Sequence, residues 1–317
     1  MRGFRTLLGL LGALAATAVL AQYPQKSIRM VAPFPAGGAL DVVGRIIAVP
    51  MSQSLGQPVV VENRPGADGA IAADLVARSG PDGYTLFLAS YTNLSALPNI
   101  RKNLPFDALG DFTPVSSVGK LSFFLTIHPS LPAKTAKEFI DYARANPGKL
   151  NYGSANATSM LGPALLASFA KLDMHPINYK GEALALNDFM SGRLQLMFIS
   201  GTLVPHVKDG KLRALATTLD ARSPLLPDVP TMVEAGLPPF PINPWIALLV
   251  PASTPKEIVE RLSRETNAAL RRPEVRTQLD NQGFEGAGST PEEMRTVMRQ
   301  QLDAWKRTIA DLQLKFD

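Results

Sequence analysis

Gly37 and Gly38, set between an apolar strand and the start of a helix, are the residues of this 317-residue chain best placed for binding chemistry. Residues 28–31 (IRMV) read as a short buried strand. It stops at Pro33-Phe34-Pro35, because proline offers no N–H to a sheet ladder. Ala36-Gly37-Gly38 follows, then Leu40, Val42, Val43, Ile46 and Ile47 at helical spacing. Glycine lets the backbone approach a bound group with no Cβ in the way. The first helical turn offers unpaired N–H groups and a partial positive charge. Together these would hold an anion such as a carboxylate; an ordinary strand-to-helix turn is the plainer alternative. Asp41, in that first turn, reads as a capping carboxylate ahead of a direct ligand contact. A second unit repeats the design. Residues 150–153 form a strand, Ser154-Ala155-Asn156-Ala157-Thr158-Ser159 a polar turn, and a helix starts at Met160, with hydroxyls and an amide in place of glycines. Two such turns facing each other across a cleft would suit a small polar ligand.

Catalysis has a weaker claim. His128, His175 and His206 are far apart in the chain, and none pairs with another ligand type at helical spacing. No GxSxG elbow, HExxH or GxxxxGK[ST] occurs, and the glycine pair lacks the GxGxxG spacing of a dinucleotide site. Ser154 follows a glycine but has no evident base, which favours a hydrogen-bonding role. No metal or cofactor is expected. Arg64 and Lys180 offer charge, with a solvated surface role as the alternative for each.

The elements that must position these turns alternate between strand and helix. Residues 58–62 (PVVVE) and 84–90 (YTLFLAS) are further strands, and an Ala-rich helix over 70–78 lies between them. The βαβαβ order argues for a parallel sheet covered on both faces. Ligands bind such sheets beyond the carboxyl ends of the strands, here 33–38, 63–69 and 90–93. Asp111-Phe112-Thr113-Pro114 breaks the pattern, and a strand over 121–128 is read as the crossing into a second lobe. Residues 195–199 (QLMFI) end at Ser200-Gly201-Thr202, and 245–250 (WIALLV) read as the return to the first lobe, with Trp245 as hinge packing. Thr135, Thr254 and Thr290 are placed as helix caps. The expected division is 1–21, 22–120, 121–244 and 245–317.

The first of these segments reads as a secretory signal peptide. Arg2 and Arg5 precede an uncharged run over 7–20, and Val19-Leu20-Ala21 fits cleavage before Gln22. The run is short for a membrane span. The chain has no cysteine, hence no disulfide and no cysteine-linked lipid. The net charge of +5 is scattered, with no basic block of the kind that binds nucleic acid.

Several phrases together carry a resemblance. They are FPAGGALD (34–41), VVVENRPGADG (59–69), DGYTL (82–86), ANPGKLNYGSA (145–155), NYKGEALALNDFMSGRLQLMF (178–198), KLRALATT (211–218), LPDVPTMVEAGLP (226–238) and STPKEIVERL (253–262). In this order they resemble the Bug family, periplasmic substrate-binding proteins of tripartite tricarboxylate transporters, over essentially the whole chain after residue 22. The resemblance implies an α/β type II periplasmic-binding-protein fold, two α/β lobes closing on a small organic carboxylate that is delivered to integral-membrane permease subunits. It implies a monomer in the periplasm with no chemistry of its own. Ligand sensing for a membrane receptor, or a secreted hydrolase or isomerase acting on a carboxylic acid, are the alternatives. The gripping loops carry over to 35–41 and 154–159. With the other strand ends, the candidate ligand-binding residues are Phe34, Pro35, Ala36, Gly37, Gly38, Asp41, Ser90, Tyr91, Ser154, Ala155, Asn156, Thr158, Ser200 and Gly201.

Two departures from the family pattern bear on the ligand. Leu40 stands where Ser or Thr is usual, and Ile199 where Asp is usual after LMF. Losing a hydroxyl and an acid argues against aspartate or glutamate and for a carboxylate with an apolar or aromatic body, lined by Phe34, Tyr91 and Leu40. Ile199 pointing into the core is the competing expectation.

Overall fold

The computed structural model describes residues 23–179 and 181–313. The expected signal peptide and Lys180 therefore lie outside the described residues. The chain opens with β1 (Ile28–Ala32), α1 (Ala39–Leu55), β2 (Val59–Asn63), α2 (Ala70–Ala77) and β3 (Thr85–Ser90), the βαβαβ unit its hydrophobic pattern predicts. A π-helical turn over Thr92–Ala96, continuous with the short α3 (Leu97–Ile100), leads to β4 (Phe112–Leu121). Next come β5 (Phe123–Ile127), α4 (Ala136–Ala145), β6 (Leu150–Ser154), α5 (Ala157–Ala170), β7 (Met174–Asn178), α6 (Glu182–Met190), β8 (Leu196–Ser200), α7 (Val204–Lys208) and β9 (Arg213–Thr217). Finally β10 (Trp245–Pro251), α8 (Lys256–Arg271), α9 (Pro273–Asn281), β11 (Phe284–Gly286) and α10 (Pro291–Asp311) close the chain.

The strands form two mixed sheets. The first has the order β11-β4-β10-β3-β1-β2, the second β7-β6-β8-β5-β9. In the first, β1 pairs in parallel with β2 (Ile28 opposite Val59) and with β3, while β10 returns antiparallel between β3 and β4. In the second, β6 is parallel to both β7 and β8, and β5 runs antiparallel to β8, placing Phe123 opposite Ser200. The carboxyl ends of β1, β2, β3 and β4 thus share one edge with Trp245. The carboxyl ends of β6, β7, β8 and β9 share an edge with Phe123. The chain passes between sheets at Ser122, directly from β4 to β5, and again between β9 and β10.

β4 corrects the sequence reading, which treats residues 111–114 as a break. Phe112–Leu121 is one continuous strand with Pro114 inside it. Proline is tolerated there because β4 is irregular and lightly flanked. It pairs with β10 through two register shifts, and β11 reaches only Gly119 to Leu121 on its other side. Pro114 therefore gives up no ladder bond on its open side. β11 itself, with three residues, is too short to show a period-2 pattern. Thr135 and Thr290 cap α4 and α10 as their spacing predicts, each accepting from the N–H of the third helical residue (Glu138, Glu293). Thr254 does not cap α8, since its hydroxyl donates instead to the Pro251 carbonyl.

One large apolar core underlies the first sheet, with Met30, Phe87, Leu248 and Trp305 inaccessible to solvent. It extends across the cleft to Ala157 and Leu161 at the start of α5. Two smaller clusters cover the faces of the second sheet. Leu196 and Phe198 face one, while Met197 and Ile199 face the other with Phe124 and Phe189, the alternation that a pleated strand imposes. Among the described residues no helix is long and apolar enough to cross a membrane.

Candidate functional site

The glycine turn after β1 is shaped by its neighbours. Gly37 has φ +81°, a left-handed conformation that glycine adopts without strain. Its N–H donates to Asp41 Oδ2 at 2.9 Å, and Arg45 Nε donates to both Asp41 oxygens at 3.0 and 3.1 Å. Asn63, the last residue of β2, donates to the Phe34 carbonyl at 3.0 Å and accepts from Arg45 at 3.4 Å. Burial pushes the Asp41 carboxyl up, but hydrogen bonds from Arg45, Gly37 and Asn63 outweigh it and hold Asp41 below the usual aspartate range. The Asp41 carboxylate, only 5 % exposed, is thus spent on holding the turn. Pro35, Ala36 and Gly37 remain exposed, with Phe34 and Gly38 half-buried.

The turn after β3 supplies hydroxyls and an amide. Ser90 N–H donates to Asn93 Oδ1 at 2.8 Å. Ser90 Oγ and Asn93 Nδ2 are both buried without a hydrogen-bond partner. A buried unpaired donor is costly and marks a place where another polar group belongs. A Cβ on Gly69 would stand 2.8 Å from Asn93 Nδ2 and 3.0 Å from Pro33, so the ends of β1, β2 and β3 meet there, and only glycine (φ +93°) leaves room.

Tyr91 joins the two halves. Its hydroxyl lies 2.7 Å from Thr158 Oγ1, at the start of α5 on the second sheet. Burial pushes the phenol up to about 12, so it stays a hydroxyl. On the facing loop, Ser159 Oγ accepts from the N–H groups of Ala155 and Asn156, and Asn156 Oδ1 accepts from Ser159 N–H at 2.9 Å. Asn156 is the N-cap of α5, and this capping box fixes the loop. The Ser154 hydroxyl, by contrast, has no hydrogen-bond partner among the described residues and is 8 % exposed.

At the end of β8, Ser200 gives its N–H to Glu182 Oε1 and its hydroxyl to Glu182 Oε2, both at 2.6 Å, and Thr202 Oγ1 sits 2.6 Å from Ser200 Oγ. Burial raises the Glu182 carboxyl above its ordinary value, and the two Ser200 bonds only partly offset this. Gly201 is turned to a different task. Its N–H donates to the Ser122 carbonyl, and it packs on the backbone of Gly283 where the chain passes between sheets.

The structure therefore brings Tyr91 and Thr158 into contact and sets both loops on one core, through Leu40, Ala157 and the half-buried Phe34 and Met160. It gives Asp41 and Asn156 supporting roles. Arg64 pairs with Glu62, and Trp245 is buried against the first core. Leu40 is 5 % exposed and Ile199 fully buried in its cluster with Phe124 and Ala185, so Ile199 carries no weight in choosing a solute. Sequence reasoning places Asn63, Asn93 and Thr202 at the strand ends without naming them as contacts, and it misses Arg45 and Glu182, whose roles depend on neighbours from other elements. A hollow of ≈ 210 Å³ beside Lys120 and Leu225 is lined in part by Ser122 and Gly283, the partners of Gly201, and another of ≈ 640 Å³ lies between α8 and the start of α10. Among the described residues no group of His, Cys, Asp and Glu side chains is arranged to hold a metal.

Two α/β lobes whose polar strand ends face each other define a binding protein. Residues 43–314 match the family model described as tripartite tricarboxylate transporter family receptor, and the chain belongs to that family of periplasmic solute-binding proteins, which are not enzymes. It is 35 % identical to protein BugT of Bordetella pertussis over 322 residues, covering 96 % of this chain and 97 % of that protein. The structure of Rpa4515 of R. palustris with adipate superposes with a TM-score of 0.86 at 30 % identity, covering 93 % of this chain and 100 % of that one. MatC of Rhodopseudomonas palustris with bound malate gives 0.79 at 31 %, covering 90 % and 100 %.

Proposed function

We propose that this chain captures a small organic carboxylate between its two lobes and presents it to integral-membrane permease subunits. It works as a monomer after removal of residues 1–21. Residues 22–120 and 245–317 make the first lobe and 121–244 the second. The carboxylate is received by the exposed backbone of 35–38, the free hydroxyl of Ser154 and the unpaired donors Ser90 and Asn93. The observation that carries this reading is the Tyr91–Thr158 bond, which closes the cleft directly beside those donors. Adipate and malate, bound by the two structural relatives, are acids of the right class.

The test is calorimetry on residues 22–317 with mono-, di- and hydroxycarboxylates, preceded by a thermal-shift screen. A specific acid at ~100 times its Kd stabilises by about 2.7 kcal/mol. The acid is expected back unchanged. Chemical conversion of the acid, or binding of neutral solutes in preference to acids, overturns the reading.

A further inference from the structure

The cleft has an acceptor as well as donors. Glu182 opens α6, the helix that follows β7, and so stands on the cleft edge of the second sheet. Both of its oxygens lie in hydrogen-bond contact with Ser200, and among the described residues no cation pairs with it. Each oxygen has a second lone pair left over. The residue is only partly buried, and its bonds to Ser200 hold the carboxylate at the carboxyl end of β8, on the cleft edge of the second sheet. With no cation paired to it among the described residues, a carboxylate in such surroundings is under-compensated, and a solute that brings a donor relieves it.

We infer that Glu182 sets the solute class: a carboxylate that carries a hydroxyl or ammonium donor at the end away from its carboxylate. This rests on the carboxylate reading above. The solute's carboxylate meets the donor side (35–38, Ser90, Asn93 and Ser154), and its O–H or N–H meets Glu182. A second full negative charge at that end is repelled by Glu182, so plain dianionic dicarboxylates are disfavoured. This choice also replaces the one expected from Ile199, whose side chain never reaches the cleft.

The test uses end-group series of three to six carbons: the ω-hydroxy acid, the ω-amino acid and the dicarboxylate of each length, titrated into residues 22–317 at pH 7.5. In the wild type the hydroxy or amino member of the best-fitting length binds at least ~10-fold tighter than the diacid, about 1.4 kcal/mol. Which of the two binds tighter separates an O–H from an ammonium. Glu182→Gln, which keeps an acceptor for Ser200, is expected to abolish the preference for the ammonium and to tighten the diacid ~10-fold. Acids that bind the wild type with no end-group preference, or a Glu182→Gln variant with wild-type ratios, would each overturn the role of Glu182 while leaving carboxylate capture intact. Failure of every acid to bind would overturn carboxylate capture, and this inference with it.

Discussion

The hydroxyls of Tyr91 and Thr158 lie 2.7 Å apart although the residues are 67 positions apart in the chain and belong to different sheets. Tyr91 directly follows β3 and Thr158 is in the first turn of α5, so the bond ties a strand end of one lobe to a helix start of the other. Both side chains are buried, where a lost partner is not replaced freely by water. Tyr91→Phe keeps the ring and removes the bond. It is expected to cost about 1 kcal/mol of the closed form, read as a ~5-fold weaker solute affinity by calorimetry. Thr158→Val has a similar effect, and the double variant costs less than the sum because the two changes remove one interaction. Strict additivity would separate the pair from closure.

Asp41 supports the binding turn through charge. Its folded-state carboxyl lies below the ordinary 3.8, so its contribution to stability is fully present above that value and is lost as pH falls through the folded value. Asp41→Asn removes the charge that Gly37 and Arg45 address and is expected to cost about 1.5–3 kcal/mol in urea unfolding at pH 7. The difference from wild type shrinks as pH falls through the folded value. Solute affinity of the variant is also lower, since Gly37 is no longer held. A destabilisation that stays constant as pH falls through the acid range would show that packing, not charge, is at stake.

The glycine turn, the serine-rich turn and their strand–helix framing were legible because each rests on local rules: proline stops a strand, glycine tolerates φ > 0, and hydrophobic period distinguishes strand from helix. The Thr135 and Thr290 caps follow from spacing in the same way. What was not legible depended on which side chains the fold brings together. Ile199, which stands where the family pattern usually has an acid, had a cleft role and a core role as competing expectations, and the pleat settles it by turning Ile199 into the core and leaving Ser200 at the edge. Glu182 carries no signal of its own in the sequence, and only Ser200 at the end of the neighbouring β8 makes it a cleft-edge group. β4 was hidden by Pro114, whose tolerance depends on how far β11 reaches, a long-range fact.

Glu182 runs opposite to Asp41 in its pH dependence. Its carboxyl is raised above the ordinary 4.5, first by burial, so its ionisation opposes folding. Stability from this group is fully present below pH 4.5 and is lost as pH rises through the folded value. Tyr91, the titratable neighbour it influences, stays protonated across this range. Glu182→Gln is therefore expected to melt higher than wild type at pH 7.5 and level with it at pH 4, in thermal scans without solute. A variant that melts lower at pH 7.5 would mean that Ser200 compensates the charge fully.

Gly201 and Gly283 set the contact where the lobes join. A Cβ on Gly201 would stand 2.6 Å from Gly283 Cα and 2.9 Å from its carbonyl oxygen, and backbone cannot step aside as a flexible side chain can. The same three segments are laced together by Ser122, whose N–H donates to Gly283 O and whose carbonyl accepts from Gly201 N–H, each at 2.9 Å. Gly201→Ala must push β8 away from β11 and strain both bonds, which is expected to cost about 1–3 kcal/mol in urea unfolding. Because the displacement falls at the crossing between sheets, it also shifts the facing loops. Solute affinity should therefore fall by more than in a surface change of equal stability cost. Gly80→Ala is the control: the nearest atom to its Cβ is 4.0 Å away, and its φ is not left-handed, so it is expected to be neutral or to stabilise by about 0.4–1 kcal/mol. If the two alanine variants behaved alike, close packing at the crossing would not be what fixes the lobes.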